Sequence, residues 1–269
     1  MRRVSILPTL VTAANGFCGL LAIYKTQDGK VHAAAFMIML AMVFDVLDGL
    51  VARKAGITSR FGAYLDSLSD AVSFGVAPAF LVKVVVEGSG ITLYNPKVLT
   101  GFTAIFTICA LFRLARYNVE HTPSEGRRAD GRAVATFAGM PTPGAAGVLA
   151  SLVYLYADPK RLFDLQPVCY VLPALCPILG YLMVSRVPYI HAGTRFLRVR
   201  RDLAYLVVVV VVIIAGVFFT EEVAAIAFVG YLLSGAIMFV RRRLRGEPPD
   251  ESPEEMATET PHDDLPEGL

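Results

Sequence analysis

Long apolar stretches, separated by short charged segments, constrain the fold of this chain more than any other feature. Hydrophobic residues make up 55% of its 269 residues, and the mean hydropathy is +0.57. A helix needs about 20 mostly apolar residues to cross a bilayer. Candidate segments lie at 5–24, 31–52, 63–86, 97–117, 143–157, 167–185, 203–219 and 223–240. Uniform apolar runs lack the alternation of a membrane barrel, so we predict an all-α, polytopic membrane helix bundle of about eight transmembrane helices.

Basic side chains are distributed unequally between the two ends of these segments. One set of ends carries 19 Lys and Arg residues, and the opposite set carries six. Since cytoplasmic loops hold the excess of positive charge, both termini are predicted to be cytoplasmic. Arg2 and Arg3 precede the first apolar run, as they would in a signal peptide. The polar Thr9, Thr12 and Asn15 within that run favour a retained first helix.

The C-terminal end differs in composition from the rest of the chain. Residues 246–269 hold nine acidic and no Lys or Arg side chains, while the other 245 residues carry a net charge of +11. A segment with so little to bury is typical of disorder. We therefore predict an integral membrane domain at 1–245 and an acidic disordered tail at 246–269. Membrane lipid is the partner expected for the basic, apolar body, and nucleic acid is not.

Four aspartates interrupt the apolar pattern where the second predicted span ends and the third begins. Asp45 and Asp48 are three residues apart, and Asp66 and Asp70 are four apart, so each pair shares one helix face. A short cytoplasmic loop makes the two helices antiparallel, which brings all four to one depth. Unpaired acids at that depth are costly. Oxygen ligands favour hard cations such as Mg²⁺ or Mn²⁺, and two such ions about 4 Å apart form a clamp for a phosphoryl or diphosphate group.

Other interpretations of these residues remain open at this point. The aspartates could be helix-end acids solvated by headgroup water, or the buried carboxylates of an ion-coupled transporter. A prenyltransferase also uses acids and Mg²⁺, but with two motifs far apart in sequence. The small residues Gly49, Ala52 and Gly62 could let a bulky ligand approach the backbone, or could only allow close helix packing.

The spacing of the acidic and small residues resembles the signature of the CDP-alcohol phosphotransferase family. The pattern is Asp45-x2-Asp48-Gly49-x2-Ala52-Arg53-x8-Gly62-x3-Asp66-x3-Asp70. The resemblance implies that an alcohol attacks the phosphorus of a CDP-linked lipid or alcohol and that CMP leaves. It also implies a homodimer and a cytoplasmic-membrane location with the active site at the cytoplasmic face, so residues 1–245 would form the catalytic domain.

The family's roles can be transferred to matching positions. By this resemblance Asp45, Asp48 and Asp66 are metal ligands, and Asp70 is a ligand or the general base. The residues implied to lie against the CDP group are Asp48, Gly49, Ala52, Arg53 and Gly62, with Arg53 a candidate phosphate contact.

Sequences flanking the aspartates are similar to those of membrane-integral bacterial and archaeal phosphatidylserine synthases. The similar stretches are 8–19, 66–78, 113–119 and 137–146. They imply CDP-diacylglycerol as donor and L-serine as acceptor. Ala71 stands where phosphatidylglycerophosphate synthases usually carry Lys, which disfavours glycerol 3-phosphate. An inositol phosphate acceptor and an archaeal ether-lipid donor remain alternatives.

Serine brings an ammonium and a carboxylate that a pocket must recognise. Arg113 and Arg116, at the cytoplasmic end of the fourth span, are candidate partners for a carboxylate or a lipid phosphate. Their alternative role is positive-inside anchoring. Asn118, Asn15 and Thr12 lie near the same level, where they could bind the acceptor or another helix.

Overall fold

The computed structural model describes residues 6–55, 60–121, 139–157, 166–185 and 221–244. These residues form helices joined by turns and include no strand, which confirms the all-helical prediction. The helices are α1 (Ile6–Gln27), α2 (Val31–Ala55), α3 (Arg60–Asp70), a π-helical segment (Ala71–Val76), α4 (Ala77–Gly88), α5 (Pro96–His121), α6 (Thr142–Tyr156), α7 (Gln166–Val184) and α8 (Glu221–Leu244). The predicted span 203–219 and the acidic tail 246–269 lie outside the described residues.

Four helical stretches within the described ranges are long and apolar enough to cross a membrane. They are Val31–Val51, Phe61–Gly88, Pro96–Val119 and Gln166–Val184. Helix α6 is also apolar but shorter. The chain is therefore a multi-pass helical membrane protein by length and composition, while the count of eight spans and the orientation of the termini stay predictions.

Helix α1 occupies a central position in the packing. It runs along α2 and also contacts α3, the π-helical segment and α4. Helix α5 packs on α7, and α6 packs on α2 and α8. Large side chains that are fully buried between these helices include Ile38, Phe74, Leu81, Phe106 and Leu172. This arrangement places α1 beside both of the helices that carry the aspartates.

The predicted third span is one continuous helical stretch with a π-helical segment in its middle. Asp70 is the last residue of α3, and the wider turns begin at Ala71 and end at Val76. Thr107 of α5 donates its hydroxyl to the carbonyl oxygen of Gly75 at 3.0 Å, so a neighbouring helix satisfies a backbone group of this segment. π-helical turns are often found at functional sites, and this one directly follows an acid of the signature.

Glycines allow α1 to approach the acid-bearing helix at backbone distance. A Cβ atom on Gly16 would lie 3.0 Å from Ser69 Oγ, and one on Gly19 would lie 2.6 Å from Ser73 Cα. Small residues at such crossings are a general device of membrane helix packing. The close approach at Gly19 involves backbone atoms of the π-helical segment, which cannot rotate away as a side chain can.

We expect Gly19→Ala to destabilise the protein, because the added methyl group overlaps the backbone of Ser73. Overpacking of this kind costs about 1–3 kcal/mol, and the midpoint of thermal unfolding in detergent should fall accordingly. Gly101→Ala is the matched control, since a Cβ atom on this exposed glycine of α5 meets nothing within 4 Å. Equal midpoints for the two variants would contradict the tight α1 crossing.

A glycine with positive φ holds the segment before α6 against the end of α7. Gly139 has a φ of 103°, and a Cβ atom there would lie 2.7 Å from the carbonyl oxygen of Met183. The next residue, Met140, donates its backbone N–H to Leu182 O at 3.0 Å. This contact positions the start of α6 and, with it, Thr142 near the polar end of α5.

Candidate active site

Helices α2 and α3 bring three of the four aspartates together. Asp45 and Asp48 lie in the C-terminal half of α2, and Asp66 lies one turn before the end of α3. One carboxylate oxygen from each residue falls within 4.8 Å of the oxygens of the other two. We call these three residues the carboxylate cluster. Three negative groups this close repel one another strongly in a medium of low polarity, so the arrangement needs a positive counterpart.

Unsatisfied oxygen atoms in the carboxylate cluster fit a metal ion. Asp48 Oδ2 and Asp66 Oδ1 are buried and have no hydrogen-bond partner among the described residues. Buried polar atoms in native structures nearly always have a partner, so an exception calls for an explanation. Carboxylate oxygens are the ligands that Mg²⁺ and Mn²⁺ prefer. The donor set therefore suits a hard divalent cation.

Asp70 lies beside the cluster and has a hydrogen-bond donor of its own. Its carboxyl group is 8% exposed and accepts a 2.8 Å hydrogen bond at Oδ1 from Asn15 Nδ2 of α1. It also interacts electrostatically with Asp45 and Asp66. The group of three converging oxygens does not include Asp70. A side chain from α1 thus sets the orientation of the fourth acid.

Helix α1 contributes a second polar contact to the site. The side chain of Thr12 interacts with the carboxylate of Asp48, to which its hydroxyl can donate a hydrogen bond. Thr12 and Asn15 are three residues apart and share one face of α1. That face therefore supports one acid from each of the two acid-bearing helices.

The other predicted CDP-binding residues flank the cluster. Gly49 is half-buried and directly follows Asp48, and Gly62 lies in the first turn of α3. Ala52 and Arg53 belong to the last two turns of α2, but their side chains lie outside those that the structure describes. The contact between Arg53 and a phosphate group stays a prediction.

The candidate acceptor residues of α5 have different surroundings. Arg113 is partly buried and donates from Nη1 to Thr142 Oγ1 at 3.1 Å. Arg116 is exposed. Asn118 Oδ1 accepts a 2.9 Å hydrogen bond from Ser67 Oγ, which ties α5 to the turn of α3 between Asp66 and Asp70. Asn15 therefore contacts Asp70 directly, while Asn118 contacts α3, the helix that carries Asp66 and Asp70.

Sequence reasoning missed two residues that the fold brings to the site. Ser67 contacts Asn118, and Tyr117 interacts electrostatically with Asp66 and Asp45. Ser67 carried a weak signal, because it lies between two acids of the signature. Tyr117 carried none, since an aromatic residue near the end of a membrane helix is typical of the interface belt.

The fold and this site define a class of protein before any relative is considered. It is a helical membrane protein in which carboxylates from two consecutive helices converge. An all-oxygen site of this kind is suited to a hard cation and a phosphate-bearing substrate.

Comparison with known proteins identifies the family within that class. Residues 5–185 match the CDP-alcohol phosphatidyltransferase family. A CDP-diacylglycerol–serine O-phosphatidyltransferase of Bacillus subtilis is 32% identical over 189 residues, covering 70% of this chain and 92% of that protein. One from Helicobacter pylori is 31% identical over 237 residues, covering 87% and 91%. An archaetidylserine synthase of Methanothermobacter thermautotrophicus is 37% identical over 147 residues, covering 54% of this chain and 56% of that protein.

This chain belongs to the CDP-alcohol phosphatidyltransferase family and is a transferase. The resemblance seen in the sequence is thereby confirmed. The matched region contains all four aspartates, Asn15 and the polar end of α5.

Proposed function

We propose that this protein transfers the phosphatidyl group of CDP-diacylglycerol to L-serine, which gives phosphatidylserine and CMP. The observation that carries the proposal is the convergence of Asp45, Asp48 and Asp66 beside a separately held Asp70. The names of the bacterial relatives support serine as the acceptor and CDP-diacylglycerol as the donor. The family assignment supports the reaction type.

The carboxylate cluster is the proposed metal site. Asp45, Asp48 and Asp66 would hold Mg²⁺ or Mn²⁺, with Asp70 adding ligation, and we expect two ions. Divalent cations bound there would supply neutralisation of the diphosphate charge. The fit rests on the two buried carboxylate oxygens that have no hydrogen-bond partner within the described part of the chain.

Asp70 is the proposed general base. The serine hydroxyl oxygen attacks the phosphorus that bears the diacylglycerol, the bond from that phosphorus to the CMP oxygen breaks, and the hydroxyl proton moves to the Asp70 carboxylate. Because the pKa of an alcohol is far above 7, a positioned carboxylate must accept the proton as the new bond forms. The 2.8 Å hydrogen bond from Asn15 supports this role, since it fixes the orientation of the carboxyl group.

The donor lies against the small residues of the signature in this proposal. Gly49, Ala52 and Gly62 would leave room for the CDP group, and Arg53 would contact a phosphate. The lipid chains stay in the bilayer while the headgroup faces the cytoplasm, which places the site at the cytoplasmic face of the cell membrane. The excess of basic residues at that end of the helices supports this orientation. We also propose a homodimer, as implied by the family.

Arg113 and Arg116 are proposed to bind the acceptor carboxylate or a lipid phosphate. Arg116 is the better candidate for a soluble acceptor, because it is exposed whereas Arg113 is partly buried. We expect Arg116→Ala to raise the KM for serine about tenfold, because an ion-paired hydrogen bond is lost, and to change the KM for the CDP-lipid much less.

The control for Arg116 is Lys97→Ala, which removes an exposed cation at the opposite end of the same helix. Steady-state rates of CMP release at varied serine and varied CDP-lipid give both constants. Equal changes of the two KM values in Arg116→Ala would assign the arginine to lipid binding or to anchoring.

A second candidate donor is an archaeal ether lipid. The relative from Methanothermobacter thermautotrophicus is named for an archaetidylserine product. The names of this relative and of the bacterial relatives both contain serine, but they refer to different lipids.

An acceptor panel tests the proposal. The purified protein in detergent receives Mn²⁺, CDP-diacylglycerol or CDP-archaeol, and one of serine, glycerol 3-phosphate, inositol phosphate or no acceptor. We expect CMP release that requires serine. Release with another acceptor would keep the reaction type and reject serine. If no acceptor gives CMP release, substrate flux into vesicles that contain the protein would favour an ion-coupled transporter.

A further inference from the structure

The side-chain amide of Asn15 contacts the proposed base through its nitrogen atom. Its oxygen atom has no hydrogen-bond partner among the described residues. Its Nδ2 atom donates to Asp70 Oδ1 at 2.8 Å, and the residue is fully buried. A carboxylate accepts hydrogen bonds and an amide nitrogen donates them, so the NH2 end must face Asp70. The Oδ1 atom is therefore the other polar corner of the same planar amide, next to the Nδ2 atom that contacts Asp70.

That oxygen atom is an unsatisfied acceptor. Asn15 Oδ1 is buried and has no hydrogen-bond partner in the part of the chain that the structure describes. A buried amide oxygen without a partner costs about 1–3 kcal/mol, and such atoms are rare in native structures. A donor group from a ligand would satisfy it.

The backbone of Asn15 makes a separate contact with the π-helical segment. The contact between α1 and the π-helical segment uses the backbone, since Ser73 Oγ donates to the carbonyl oxygen of Asn15 at 2.9 Å. The glycines at 16 and 19 provide the close approach on either side of this bond. The amide group is thus available for a role in the site.

We propose that Asn15 positions the acceptor: its NH2 group orients Asp70, and its Oδ1 atom accepts a hydrogen bond from the ammonium group of an amino-alcohol acceptor. The inference rests on the proposed function. An ammonium group has three donors and no acceptor, which suits a lone carbonyl oxygen. In serine the ammonium and the hydroxyl are on adjacent carbons, so one residue pair, Asn15 and Asp70, can hold both. Acceptors without an amino group lack this contact.

The test compares L-serine with 3-hydroxypropanoate, which is serine without its amino group. The measured quantity is the ratio of kcat/KM for the two acceptors, from CMP release with CDP-diacylglycerol and Mn²⁺. Asn15→Ala removes both ends of the amide, and we expect this ratio to fall about tenfold or more. Asn15→Asp keeps an acceptor oxygen and loses the donor to Asp70. We expect it to keep the ratio within about threefold while kcat for serine falls about tenfold or more.

A buried polar residue outside the site provides the control. Ser151 of α6 is fully buried, and its hydroxyl donates to Val148 O at 3.2 Å within its own helix. We expect Ser151→Ala to leave the ratio unchanged. Asn15→Ala should bind Mn²⁺ with wild-type affinity, because the carboxylate cluster remains intact.

The outcomes separate this inference from the proposed function. A wild-type protein that releases no CMP with serine overturns the proposed function, and the inference with it. If the wild type is active and Asn15→Ala keeps the wild-type ratio of kcat/KM for L-serine and 3-hydroxypropanoate, the inference alone is overturned. The inference is also overturned if Asn15→Asp loses the preference for L-serine over 3-hydroxypropanoate, because Asn15 would then act only through Asp70. Loss of Mn²⁺ binding in Asn15→Ala overturns it as well, because Asn15 would then be structural.

Discussion

Asp66→Asn should abolish transfer while the protein still folds. The substitution keeps the size and shape of the side chain and removes the negative charge at the centre of the carboxylate cluster, whose three oxygens lie within 4.8 Å. Metal-based charge stabilisation is worth several kcal/mol, and each 1.36 kcal/mol corresponds to a tenfold change in rate. We therefore expect kcat/KM to fall about 1,000-fold or more, together with a large loss of Mn²⁺ affinity.

Two measurements check this prediction. CMP release gives the rate, and electron paramagnetic resonance of added Mn²⁺ gives the bound fraction. Ser69→Ala is a useful control, because it changes a buried polar residue of the same helix outside the signature. Full activity in Asp66→Asn, at an unchanged unfolding midpoint, would refute the metal-ligand assignment.

Asp70→Asn should separate proton transfer from metal binding. The oxygens that converge within 4.8 Å come from the other three aspartates, and Asp70 is held instead by Asn15. A general base contributes about 100- to 10,000-fold to a rate. We expect kcat to fall within that range, and Mn²⁺ affinity to fall much less than it does in Asp66→Asn.

The comparison between the two variants is the decisive control for Asp70. Since asparagine is close in size and shape to aspartate, gross misfolding is not expected, and CDP-lipid binding should persist. If Asp70→Asn loses as much Mn²⁺ affinity as Asp66→Asn, then Asp70 acts as a ligand first, and the separate base role is wrong.

Local patterns in the sequence predicted much of this architecture. In the described part of the chain, which covers seven of the eight predicted spans, a helix lies at each of them, because long apolar runs in a membrane leave few other solutions. The placement of Asp45, Asp48 and Asp66 side by side also follows from local rules. Asp45 and Asp48 are three residues apart on one helix face, and Asp66 follows on the next helix after a short connection, which leaves little freedom in where the three carboxylates meet.

The contacts that distinguish one aspartate from another could not be predicted in the same way. The bond between Asn15 and Asp70 joins residues 55 positions apart, and it depends on the rotation of α1 against α3. That rotation is set by the backbone approach at Gly16 and Gly19 and by the π-helical segment after Asp70. Six residues of ordinary helical composition, from Ala71 to Val76, carry no signal for wider turns, because tertiary contacts such as that from Thr107 stabilise them.

The residues proposed to bind the acceptor show the same limit. Sequence position placed Arg113, Arg116 and Asn118 near the membrane boundary, but the contacts of Arg113 with Thr142 and of Asn118 with Ser67 arise from packing between distant helices. The charge pattern predicted the depth of these residues in the membrane. It contained no information on which of them face a soluble substrate.

The most direct test of the central claim is the transfer of labelled serine. The purified protein in detergent is given CDP-diacylglycerol, Mn²⁺ and radiolabelled L-serine, and both the lipid product and CMP are quantified. The account predicts labelled phosphatidylserine and CMP in equal amounts, loss of both when a chelator removes the metal, and recovery when Mn²⁺ is restored. Folded, metal-loaded protein that forms no labelled lipid from either an ester-linked or an ether-linked CDP-lipid would contradict it.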